Sequence, residues 1–95
     1  MAAYVILDIQ VTDPEGYEEY KRIGGGSAAP YGGKMIVRGG RTEVLEGEWS
    51  PHRVVVVEFP TFEQAQRWWE SDEYRPARDI LDRTARSSTI LVEWM

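Results

Sequence analysis

The chain has 95 residues, 42% hydrophobic and 28% charged, with no cysteine, a composition that describes one globular domain and excludes a disulfide framework, a thiolate metal site and a cysteine nucleophile. Sixteen acidic against eleven basic residues leave a formal charge of -5, with the cations spread from Lys21 to Arg86, so a nucleic-acid partner is disfavoured. No basic region precedes the first apolar run, and the longest aliphatic stretch, Val54 to Val57, is far short of the roughly 20 residues of a membrane span; no membrane partner and a cytoplasmic location are expected.

Tyr4 to Val11 sets Val5, Leu7, Ile9 and Val11 on one face and Tyr4, Ile6, Asp8 and Gln10 on the other, which predicts a strand with one fully apolar side. Asp13 as N-cap, Pro14 in the first helical position and Glu15 near the positive end of the dipole mark a helix start. Tyr17, Tyr20 and Ile23 fall at helical spacing, and Glu18 to Arg22 is a favourable i,i+4 pair. Gly24-Gly25-Gly26 ends that helix.

Met35 to Val37 is expected as a short strand, Arg38-Gly39-Gly40-Arg41 as a tight turn and Thr42 to Glu46 as the return strand. Arg53 to Phe59, a valine-rich run, reads as a central strand buried on both faces. Thr61 and Gln64 form a capping box for a helix with the apolar stripe Phe62, Ala65, Trp68 and Trp69. Ser71 and Asp72 signal a second helix that carries Pro76 in its first turn and Tyr74, Ala77, Ile80, Leu81 and Thr84 on one side. Thr89 to Trp94 alternates as a closing strand. The order is that of an α+β, ferredoxin-like βαββαβ domain spanning residues 1–95: an antiparallel sheet, helices on one face, the other face bare. The strands at Tyr4 and Arg53 are expected as parallel neighbours at its centre.

Tyr31-Gly32-Gly33, Val37-Arg38-Gly39-Gly40, Leu45 to Trp49, Val57 to Thr61, Ala65 to Trp69 and Ser71-Asp72-Glu73-Tyr74 to Arg78 occur in an order that resembles domain of unknown function 1330, of the dimeric α+β-barrel superfamily. The resemblance covers nearly the whole chain. It implies a ferredoxin-like protomer whose sheet packs on a second copy's sheet as a homodimer, with a pocket between sheet and helices. It names no reaction, since the superfamily includes cofactor-free monooxygenases, muconolactone isomerases and haem-degrading enzymes.

If the central strands run parallel, Asp8 and Glu58 approach on the bare face with Arg38 beside them. That set reads either as a proton-transfer dyad with a raised pKa or as a structural ion network at the dimer interface. Tyr17, Tyr20, Tyr31, Trp68, Trp69 and Tyr74 form an aromatic set suited to a ring-containing ligand, with at least half expected in the core. Trp68 and Trp69 stand about 100° apart on a helix, so only one can point into the sheet. Tyr74 and Arg78 share a helix face and could converge on an anionic group, or could simply stack at the surface. His52, the single histidine, reads as an exposed loop tip, and a lone histidine gives little basis for a metal site. No cofactor is expected. The leading functional expectation is a small-molecule binding protein whose pocket is lined by Tyr20, Arg38, Trp69, Tyr74 and Arg78. A cofactor-independent isomerase, lyase or monooxygenase using Asp8, Glu58 and Arg38 is the alternative, and a purely structural or regulatory dimer, with a solid protomer, is a third.

Overall fold

The computed structural model describes residues 1–95. Strand β1 (Ala3–Val11) leads to helix α1 (Pro14–Gly24), a 3-10 turn (Ala29–Tyr31), β2 (Lys34–Arg38), β3 (Arg53–Phe59), α2 (Phe62–Trp69), α3 (Arg75–Thr84) and β4 (Ala85–Glu93). The strands form one antiparallel sheet in the order β2-β3-β1-β4, the ferredoxin-like α+β arrangement. No helix is long and apolar enough to cross a membrane.

Parity along β1 decides which side is core. Ala3, Val5, Leu7 and Ile9 are buried beneath the helices, together with Val55, Val57 and Phe59 of β3. Ile6, Val54 and Val56 on the opposite face are only half-buried, and Ile90 and Val92 are exposed. In the single chain the valine run is therefore covered on one side only.

The central strands correct one expectation. β1 and β3 run antiparallel, with Tyr4 opposite Glu58 and Asp8 opposite Val54. Helix α1 carries the chain back so that β2 runs parallel to β1 without touching it; the reversal between β2 and β3 then makes β3 antiparallel to both. The predicted hairpin is also absent: Thr42 to Glu46 forms no strand, and β2 pairs directly with β3 across a long connection, residues 39–52. Val55, Val57 and Phe59 can bury under the helices at that position, whereas Thr42 to Glu46 holds only two apolar residues, Val44 and Leu45, and both stay exposed.

The helix signals hold. The Asp13 side chain accepts from the Gly16 N–H at 3.3 Å, and Thr61 Oγ1 accepts from the Gln64 N–H at 3.1 Å while bonding the Gln64 side chain. Ser71 Oγ donates to the Trp68 carbonyl at 2.7 Å and accepts from the Tyr74 N–H at 3.1 Å, joining α2 to α3. The expected Glu18–Arg22 pair is replaced by i,i+3 pairs, Glu18–Lys21 and Glu19–Arg22. α3 passes into β4 without a linking residue: the Ala85 N–H still donates to the Leu81 carbonyl, and the Thr84 carbonyl accepts from both Thr12 and Asp13.

Candidate functional site

Between α1, the 3-10 turn and the sheet lies a cavity of about 250 Å³. Leu7, Ile9, Val55 and Val57 form its sheet wall because all four share the inward parity of the central strands. Tyr17 and Tyr20 of α1 face them, with Met35 and Trp68 completing the apolar lining. Lys21, Arg38 and Arg53 also line the cavity, and no acid does. In a chain of net charge -5, that local excess of cations is set against the overall balance.

Two backbone irregularities place the arginines. A β-bulge between Met35 and Val37 shifts the register, so that Met35 lies opposite Val57 but Arg38 lies opposite Val55. Both therefore point to the helix side; strict alternation from Met35 would have sent Arg38 to the bare face. Gly39 then turns with φ +76, and a Cβ there would lie 2.7 Å from the Arg53 side chain, so glycine lets Arg53 lie across the end of β2. Arg53 is half-buried and its Nε–H has no partner. Lys21 is held by Glu18 at 2.9 Å, whereas Arg38 and Arg53 have no carboxylate within salt-bridge distance.

Behind Tyr20 the cavity meets a packed aromatic cluster. The Tyr20 and Tyr74 hydroxyls are 2.9 Å apart, and the Tyr74 ring lies 4.1 Å from that of Trp68, centroid to centroid. Trp68 Nε1–H donates to Ser27 Oγ at 3.0 Å, and Ser27 donates on to the Gly24 carbonyl at 2.7 Å. This chain ties α2 to the segment after α1. Burial pushes both phenols up, and for Tyr74 the neighbouring Tyr20 adds to it; both stay protonated at neutral pH.

The expected site residues do not all meet. Asp8 and Glu58 sit at opposite ends of the central strand pair, so the dyad with Arg38 is not assembled: the antiparallel register separates the carboxylates and the bulge turns Arg38 to the other face. Asp8 instead accepts from Trp49 Nε1–H at 2.9 Å and from the His52 backbone N–H at 2.8 Å. Burial raises its pKa, but those bonds and the His52 charge outweigh burial and leave the carboxyl below its ordinary value. His52 is exposed and marks the end of the 39–52 connection. Tyr20 and Arg38 line the α1 cavity, while Tyr74 is fully buried behind it. Trp69 and Arg78 lie toward β4, away from the α1 cavity: the Arg78 guanidinium stacks 4.5 Å from the Trp69 ring and donates to the Trp69 carbonyl at 3.0 Å. Trp69 also borders a more open cleft of about 630 Å³ between α2 and β4, rimmed by Glu63, Arg67 and Glu70. Arg53, which parity with Val55 and Val57 could have placed in the cavity, was the residue that motif reasoning passed over.

Fold and cavity together define a ferredoxin-like α+β domain with a small pocket between helix and sheet. Residues 2–95 match the family model "Domain of unknown function (DUF1330)", and the chain belongs to that family. No curated protein matches the sequence. Among solved structures, the chain is similar to RPA0582 of Rhodopseudomonas palustris, a protein of unknown function, at 18% identity and TM-score 0.77, covering 99% of this chain and 82% of that one. It is also similar to SnoaB, a cofactor-independent oxygenase from Streptomyces nogalater, at 14% identity and TM-score 0.60, covering 99% and 92%. HapK from Hahella chejuensis is 13% identical with TM-score 0.61, covering 98% and 92%. At these identities the likeness establishes the fold alone.

Proposed function

We propose that the protein binds a small ring-containing organic molecule in the cavity between α1 and the sheet, and that it works as a homodimer assembled through the bare sheet face. The observation that carries the reading is the cavity itself: apolar on the sheet side, aromatic on the helix side and supplied with few polar groups, the usual make-up of a ligand pocket. Its volume, about 250 Å³, lies just below the ~300–1,000 Å³ typical of drug-sized ligands, which favours molecules of one or two rings. The protonated phenols and the lack of an acid in the lining favour binding over proton-transfer turnover. A solid protomer, as a purely structural dimer would have, fits less well, because Trp69 remains half-buried beside an open cleft.

The dimer reading rests on surface. The protomer exposes 6462 Å² where a chain of its mass is expected to expose roughly 5,600 Å². The exposed apolar groups include Ile90 and Val92 on the bare face and Leu45 and Trp49 of the 39–52 connection, the surface that a second copy would cover.

Met35 gives a direct test of the cavity. Of the three methionines, Met1 and Met95 are exposed at the termini and only Met35 lines the cavity. With methyl-labelled methionine, a screen of one- and two-ring acids, amides, lactones and quinones is expected to move the Met35 signal and leave the other two in place. A screen in which Met35 never moves would overturn the reading.

A further inference from the structure

The cavity is polarised along its length, and this bears on which rings it accepts. At one end Trp68 packs on Phe59, ring centroids 5.3 Å apart, in the part of β3 that lies opposite the start of β1. At the other end stand the two arginines, Arg53 opposite Ile9 and Arg38 opposite Val55. Both face inward on adjacent strands, diagonal neighbours on one side of the sheet. Two like charges placed so, with no carboxylate near either and none in the lining, repel each other until an anion lies between them.

The half-buried Arg53 is the sharper of the two observations. A buried N–H without a partner is costly, and more so on a charged group. Its Nε–H is in that state, while Gly39 leaves the space in which the guanidinium lies. Nε–H and a terminal N–H form one edge of a guanidinium, spaced to meet the two oxygens of a carboxylate in parallel hydrogen bonds. Lys21 is already taken up by Glu18, so one half-buried arginine, supported by an exposed one, matches a single negative charge.

We infer that the ligand is a planar aromatic carboxylate, its acid group held between Arg53 and Arg38 and its ring directed along the cavity toward Trp68. This rests on the cavity reading above and adds the chemical class. Arg53 supplies the paired hydrogen bonds and Arg38, exposed at the end of β2, the second charge and the attraction of the anion from solvent.

The test compares 2-naphthoate with 2-naphthamide, which keeps the shape and removes the charge, on wild-type protein and on Arg38→Gln and Arg53→Gln, with affinities read from the Met35 methyl signal. Wild type is expected to bind the acid at least about tenfold more tightly than the amide, and each substitution to weaken the acid about tenfold and the amide, whose carbonyl can still accept from an arginine, markedly less. Equal affinity for acid and amide in wild type overturns this inference and leaves the cavity reading standing. A preference for the acid that survives in both variants overturns the assignment to these arginines. Binding of neither compound overturns this inference, and the cavity reading is then decided by the wider screen of ring compounds on the Met35 signal. If Arg53→Gln does not fold, the wild-type comparison and Arg38→Gln decide the matter.

Discussion

Asp8 is held by two N–H donors, Trp49 Nε1–H and the His52 amide, and its carboxyl stays below its ordinary pKa although burial acts in the opposite sense. A depressed folded-state pKa adds stability above the unfolded value, about 3.9, and that stability disappears as pH falls through the folded value. Asp8→Asn is therefore expected to melt below wild type at neutral pH, the gap closing on acidification past about pH 4, as followed by circular dichroism melts at a series of pH values. A gap unchanged with pH would show that the carboxylate's charge is not what holds the connection. Gly33 is constrained differently: a Cβ there would stand 2.5 Å from Ala28 Cβ and 2.7 Å from the Phe59 ring. Gly33→Ala is expected to cost about 1–3 kcal/mol by overpacking, measured by urea unfolding; a neutral result would mean that the turn after α1 shifts freely.

At the scale of elements, α2 depends on its cap, and Thr61→Ala is expected to remove about 1 kcal/mol through loss of the side-chain acceptor for the Gln64 N–H. Thr61→Ser, which keeps an oxygen there, should retain most of it in the same unfolding assay. This cap, the Asp13 start of α1 and the inward stripe of β1 were legible because each is a local pattern: the spacing of a few neighbouring residues carries the whole signal. What was not legible depended on partners distant in the chain. A glycine pair flanked by arginines looks like a hairpin turn in isolation, yet the β2 edge goes to the run from Arg53 to Phe59, which has more apolar surface to bury. The direction of β3 against β1 follows from the count of chain reversals, and no residue near Asp8 or Glu58 encodes it. The candidate site shared this fate: Tyr20 was found through helical spacing, but Arg38 entered the cavity by a bulge that period-two reading cannot detect, Trp69 left it because Trp68 took the inward position, and Arg78 lies with Trp69.

For the molecule as a whole, the half-covered face of the sheet is the feature on which the proposed dimer rests. Ile6 lies at its centre, opposite Val56 on one side and Ile90 on the other, and Leu45 and Trp49 of the 39–52 connection are also left in solvent. Sedimentation at micromolar concentration is expected to give a dimer, and Ile6→Glu, which sets a charge in that face, a monomer. Because the cavity proposed to hold the ligand lies on the opposite side of the sheet, the monomeric variant is expected to keep its Met35 response; loss of both together would mean that the two faces are coupled. The seam between α3 and β4 has a consequence of another kind. Since helical Thr84 is followed at once by extended Ala85, one residue gained or lost there would turn every later side chain of β4 over, sending Leu91 outward and Ile90 beneath the helices. A change of length is expected to be tolerated within residues 40–48, between the Gly39 that seats Arg53 and the Trp49 and His52 that hold Asp8, whereas at this seam only replacement is left.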